Sequence, residues 1–181
     1  FAKQLKALLN PATTALAAVA PELGFFDTQG SLQRDSALVA QVLDVLADLQ
    51  DQSEEPDGGR LLEGKNDKAG FKGFLRAPFG WPDELVRLVL VACFRAGAIY
   101  LERQSATGPA PLYDYKGSDE LFSKVTIFKK HTFRVAETSL TLEQIKRAGK
   151  ALIAMGVGGV TEAGNALAAA VRDLGTMLGA G

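Results

Sequence analysis

The 181 residues suit one domain, or one domain with an appended helical piece, and 47% apolar content is enough for a real core. A net charge of −1 gives the chain no general field that would draw nucleic acid or an anionic membrane. One cysteine (Cys93) excludes an intrachain disulfide framework, one histidine (His131) leaves the chain poor in zinc ligands, and His131, set among lysines, reads as an exposed or phosphate-proximal residue and not as a general base.

No signal peptide or spanning run is present. The chain opens on Phe1 and its methionines are Met155 and Met177, which reads as a piece of something larger. The lone cysteine suits a reducing, cytoplasmic setting.

Phe1 to Asn10 places Leu5, Leu8 and Leu9 on one helical face. Asn10 and Pro11 have the chemistry of a cap and first residue for a second short helix to about Val19. Phe25 and Phe26 lie in a loop and tuck into the core on the simplest reading. Ser31 is a suitable cap for a helix to about Gln50, with Leu32, Val39, Val42, Leu43, Leu46 and Leu49 inward. Asp44, Asp48 and Asp51 form its acidic side, a solvated face lacking the clustered loop geometry of a calcium site. Ser53 to Gly59 is the clearest linker, closing an N-terminal helical segment, 1–55.

Lys65, Lys68, Lys72 and Arg76 share a quarter of the circumference if this stretch is helical. Gly64, Gly70 and Gly73 weaken that helix by roughly 1 kcal/mol each relative to alanine. A solvated face is the bland reading of these cations, and contact with phosphates the functional one.

The chain is organised around Phe79 to Tyr115. Pro82 suits a helix start, and Asp83 and Glu84 put negative charge in the first turn. From Leu85 to Phe94 almost every side chain is apolar, and Glu84, Arg87, Val91 and Arg95 form the one polar stripe. Such a helix is a core helix, too short to span a membrane. Gly97 ends it. Ala98–Arg103 and Leu112–Tyr115 then read as two strands around a Gly/Pro-rich tip. Helix, strand, tip and strand make the second half of a winged-helix unit, assigned to 60–136. Its helix begins Pro82-Asp83-Glu84, the wrong charge for entering a DNA groove.

Ser118 caps a helix from Asp119 to about Lys129, followed by a strand from Thr132 to Ala136. Thr141 and Gln144 have capping-box spacing, with Leu140 and Ile145 as the hydrophobic staple, for a helix ending near Gly156. A last helix, Thr161 to about Leu178, completes a C-terminal pair, 137–181. The expected fold is therefore mainly α with a small β-hairpin, a winged-helix-like unit flanked by N- and C-terminal helices.

Chemistry is sparse. Met155-Gly156-Val157-Gly158-Gly159 follows a helix and lacks the Gly-Lys-Ser/Thr of a phosphate loop, and Gly64-Lys65-Asn66 lacks an upstream glycine. Cys93 reads as a small core hydrophobe. The carboxylate pairs Glu54-Glu55, Asp83-Glu84 and Asp119-Glu120 sit at loops or helix starts. No catalytic residue, metal ligand or cofactor is expected. Backbone contact with nucleic acid would fall to Lys65, Lys68, Lys72, Arg76, Arg103, Lys129, Lys130 and Arg134.

Gly80-Trp81-Pro82, the long apolar helix with its Phe94-Arg95-Ala96-Gly97 ending, and the hairpin resemble a C-terminal region of the large P-loop ATPases of BREX-type phage-defence systems, the BrxC/PglY proteins. Phe128-Lys129-Lys130-His131-Thr132-Phe133-Arg134-Val135 and Leu140-Thr141-Leu142-Glu143-Gln144 continue the likeness, which covers roughly Arg60 to Leu178. The resemblance implies a cytoplasmic bacterial ATPase in a multiprotein assembly acting against phage DNA. The family's nucleotide-binding motifs have no counterpart here. The expectation is a non-catalytic accessory module that meets other parts of its parent or defence subunits, or DNA backbone, and no membrane. The alternative is a stand-alone winged-helix nucleic-acid-binding protein.

Overall fold

The computed structural model describes residues 1–10, 12–64, 70–105, 108–112 and 118–136, with 103–105 and 108–112 as backbone only. Arg147, Lys150, Ala151 and Ala154 are described besides, all helical and exposed within the helix expected to end near Gly156. The hairpin tip 106–107, Tyr113 to Tyr115, the Thr141 capping box, the glycine run at 156–159 and the Thr161–Leu178 helix lie outside the described residues.

The fold is mainly helical with one small antiparallel sheet. Helices α1 (Ala2–Leu9), α2 (Ala37–Asp51), α3 (Gly58–Glu63) and α4 (Asp83–Arg95) precede strands β1 (Ile99–Ser105) and β2 (Gly108–Leu112). Short helices α5 (Ser118–Ser123) and α6 (Val125–Phe128) then lead to β3 (Thr132–Val135). Among the described residues no helix is long and apolar enough to cross a membrane.

Helix α4 is the axis of the core. Every residue from Val86 to Arg95 is buried. Helix α1 lays Leu5, Leu8 and Leu9 against the same core, and α2 adds Val39, Val42, Val45, Leu46 and Leu49. Asp44, Asp48 and Asp51 face solvent, as the helical period requires. Phe25 and Phe26 are buried. A second aromatic group, Phe94, Phe122, Phe128 and Phe133, ties α4 to α5, α6 and β3.

A hairpin is present, but its second strand falls on Gly108–Leu112, inside the stretch expected to be the tip, with Leu101 opposite Leu112 and Ser105 opposite Gly108; of the expected strand Leu112–Tyr115 it contains only Leu112. A third strand, β3, joins the other side of β1, pairing Ile99 with Val135 and Glu102 with Thr132, so the order is β2-β1-β3. The outward amides of β3 are taken as well: Phe133 N donates to Pro56 O at 3.1 Å and Val135 N to Gln50 Oε1 at 2.7 Å. On the other margin, the register places Pro109 opposite Gln104 and Pro111 opposite Glu102, where a proline gives up no ladder bond.

Three expected helices are shorter than their sequences suggest and a fourth is absent where its residues are described, and in each case a backbone group is claimed from elsewhere. The helix expected from Asn10 to Val19 is reduced to a 3-10 turn, Leu16–Ala18. Asn10 Oδ1 does accept from Ala12 N at 3.0 Å, but Arg95 Nη2 donates to Thr13 O at 2.9 Å, an acceptor a continuing helix would need. The helix expected from Ser31 begins at Ala37. Asp27 Oδ1 accepts from Gln29 N and Ser31 N, closing a turn in which Phe26 bridges Leu32.

The expected helix carrying Lys72 and Arg76 is absent from 70–76, which are turn and extended chain. Helix α3 stops at Gly64 (φ 70°), and its carbonyls Leu61 O and Leu62 O accept from Phe74 N and Leu75 N. Gly64 and Gly73 touch there so closely that a Cβ on Gly73 would lie 2.4 Å from Gly64 N. The helix expected from Asp119 to Lys129 breaks at Lys124, which is extended (φ −98°, ψ 110°). Arg87 Nη1 donates to Phe122 O at 2.8 Å and to Ser123 O at 3.0 Å, acting as the C-terminal cap of α5.

Candidate interaction surface

The polar stripe of α4 is not a solvent face. Arg87 is 4% exposed and Arg95 6%. Arg87 also pairs with Asp83 at 2.9 Å and lies 4.4 Å from the centre of the Phe1 ring. The two guanidiniums, eight residues apart on one face, thus bind α1, the Thr13 segment and α5 to the central helix. Asp83 is held below the ordinary carboxylate range by its hydrogen bond at Glu84, with Arg87 adding to the effect.

The basic residues expected to meet phosphates are dispersed in role. Lys65 and Lys68 lie outside the described residues, and Arg103 is placed only by its backbone, opposite Ala110. Lys129 is bound to Glu63 at 2.5 Å, and Arg134 to Glu102 at 3.1 Å. Lys72, Arg76 and Lys130 are exposed and have no carboxylate partner among the described residues. His131 is half-buried, with Nδ1 2.9 Å from Ile127 O. The amide of Gly58, at the start of α3, donates to His131 O, and that of Gly59 to Lys129 O. The turn carrying Lys129, Lys130 and His131 is therefore tied by its main chain to α3, with its carbonyls occupying the amides that begin that helix.

Cys93 is fully buried, and loss of solvation pushes its thiol up to about 12, in line with its reading as a core hydrophobe. No cluster of three His, Cys, Asp or Glu side chains able to hold a metal occurs among the described residues.

What sequence reasoning missed is the loop between α3 and α4. Phe71, Phe74, Phe79 and Trp81 form one aromatic group in which Trp81 stacks on Phe74 at 4.9 Å and 11°. Phe74 is fully buried and the other three rings are half-buried. The backbone is pinned by Trp81 N to Phe74 O at 2.8 Å and by Phe79 N and Gly80 N to Arg76 O. At the apex stand Leu75, Arg76, Ala77 and Pro78, all exposed, and Leu75 at 37% is the one exposed large hydrophobic among the described residues. The available signal was the density of aromatic residues and glycines between 70 and 82, which reads as a built loop better than as a helix. Comparison of the chain with protein-family models, curated proteins and solved structures finds no match.

Proposed function

We propose that this chain is a non-catalytic interaction module of a large BREX-like phage-defence ATPase, acting in a cytoplasmic bacterial assembly through protein–protein contact or weak contact with DNA backbone. On this reading α3, α4 and the β1–β2 ribbon make a winged-helix-like unit, its third strand supplied from downstream by β3. The observation that carries it is the burial of α4. A helix engulfed from Val86 to Arg95, its arginines engaged by backbone carbonyls inside the chain, has no face left for a major groove. That favours an interaction module over a stand-alone winged-helix nucleic-acid-binding protein. The neutralisation of Lys129 by Glu63 and of Arg134 by Glu102 points the same way, since a phosphate would have to displace a carboxylate at each.

Duplex DNA binding titrated against salt tests the choice. Weak binding with a shallow slope is expected, because Lys129 and Arg134, two of the expected phosphate contacts, are already paired with carboxylates. Nanomolar, sequence-selective binding at physiological salt would transfer the chain to the nucleic-acid-binding class. For the family, the expectation is a long reading frame that also encodes a phosphate-binding loop, beside methyltransferase and phosphatase-like genes. Deleting residues 60–136 from that parent should abolish phage restriction, and unimpaired restriction would refute the role.

A further inference from the structure

We propose that the aromatic knuckle Leu75–Trp81, flanked by Lys72 and Arg76, docks an acidic segment of a partner protein through apolar side chains seated on Leu75, Pro78 and Trp81. This rests on the interaction-module reading and names the surface and the chemistry of its partner.

The first support is rigidity. Two hydrogen bonds from Phe74 N and Leu75 N fix one arm of the loop to α3, Trp81 N closes the other arm onto Phe74 O, and the Phe74–Trp81 stack fills the space between. A loop so pinned presents its apex without a large ordering cost on binding. The second is composition. Exposed Leu75, Arg76 and Pro78 beside the half-buried Trp81 combine apolar anchors with a charged rim, and Trp and Arg dominate the energetics of protein interfaces. The third is charge. Arg60, Arg87, Lys124, Lys129 and Arg134 are each bound to a carboxylate of this chain, whereas the two cations of the knuckle have none among the described residues. Nearby, Asp83 is occupied by Arg87, and Lys72 and Arg76 outnumber the exposed carboxylate of Glu84, an excess of positive charge that suits an acidic partner. Single-stranded nucleic acid fits less well. Trp81 already has one ring face covered by Phe74, and two cations are too few to track a phosphate backbone.

Trp81 is the chain's single tryptophan, so its fluorescence reports on this surface alone. The test titrates the full chain with a short synthetic peptide of glutamate and leucine, its lysine–leucine counterpart, and oligo(dT), each free of tryptophan. A saturable change in Trp81 emission with the acidic peptide is expected, with apparent affinity falling about tenfold in the K72E/R76E double variant and by a similar factor in L75A. Residues 72, 75 and 76 are exposed, so these variants should keep the far-ultraviolet circular dichroism of the parent chain. No saturable change, an equal response to the lysine–leucine peptide, or tighter binding of oligo(dT) would overturn the proposal. Such a result leaves the phage-restriction test of the parent assembly independent, just as failed restriction leaves the peptide titration standing.

Discussion

Replacing Arg87 with alanine should cost this protein a large share of its stability. The side chain donates to Phe122 O and Ser123 O, pairs with Asp83 and covers the Phe1 ring, all from a position 4% exposed. A hydrogen bond from a charged donor contributes about 1.5–3 kcal/mol, and leaving its buried acceptor empty carries a further cost. With two carbonyls stripped and a cavity opened, R87A should lose about 3–5 kcal/mol, the range for breaking a buried charged network. D83N removes only the partner that is 28% exposed and should lose no more than about 1 kcal/mol. Urea denaturation at neutral pH measures both, and hydrogen exchange should show the amides of α5 and α6 opening in R87A before those of α2. The sign of the pH dependence follows from Asp83. Its folded carboxyl lies below its ordinary value, so its contribution is complete above that ordinary value and disappears as pH falls through the lowered folded one. D83N should therefore flatten the acid limb of the stability profile. An R87A variant within about 1 kcal/mol of the parent, indistinguishable from D83N, would refute the assignment of Arg87 as the clamp between α4 and α5.

Glycine substitutions separate close packing from backbone conformation. Gly73→Ala drives a Cβ to 2.4 Å from Gly64 N and should cost several kcal/mol, whereas Gly70→Ala meets nothing within 4 Å and should cost only about 1 kcal/mol for its positive φ; paired thermal melts read the difference. Cys93, with its thiol pushed up to about 12, should be inert to an alkylating reagent at pH 8 in the folded chain and should react at the rate of global opening, so modification that outpaces unfolding would contradict its burial.

Local chemistry made α4 legible: Pro82 before it, Asp83 and Glu84 in its first turn, Gly97 after it. The solvated face of α2 and the buried leucines of α1 followed from period alone. What could not be read was where those elements stop. Arg87 ends a helix 35 residues downstream, and Arg95 captures a carbonyl 82 residues upstream. Neither capture leaves a mark in the window where the helix was expected, because the local pattern is helical and the competing donor comes from the core. The stripe of Arg87 and Arg95 was legible as polar, but its burial was not, since charge predicts exposure unless a carbonyl partner is known. At Gly64, Gly70 and Gly73 the signal was present. All three have positive φ, and the cost assigned to them in a helix was a reason to abandon it. The strand at Thr132–Val135 was legible, but its pairing with β1 and the cover of its outer margin by Pro56 and Gln50 are set by tertiary folding.

The closure of both sheet margins has a consequence for association. On the β3 side the outward amides already donate to Pro56 and Gln50, and on the β2 side Pro109 and Pro111 offer no hydrogen to a newcomer. A visiting strand would find proline carbonyls but no proline amide on the β2 side, and the Phe133 and Val135 amides already donating on the β3 side, so the ribbon is a poor template for amyloid-like stacking and for partners that recognise backbone rather than side chains.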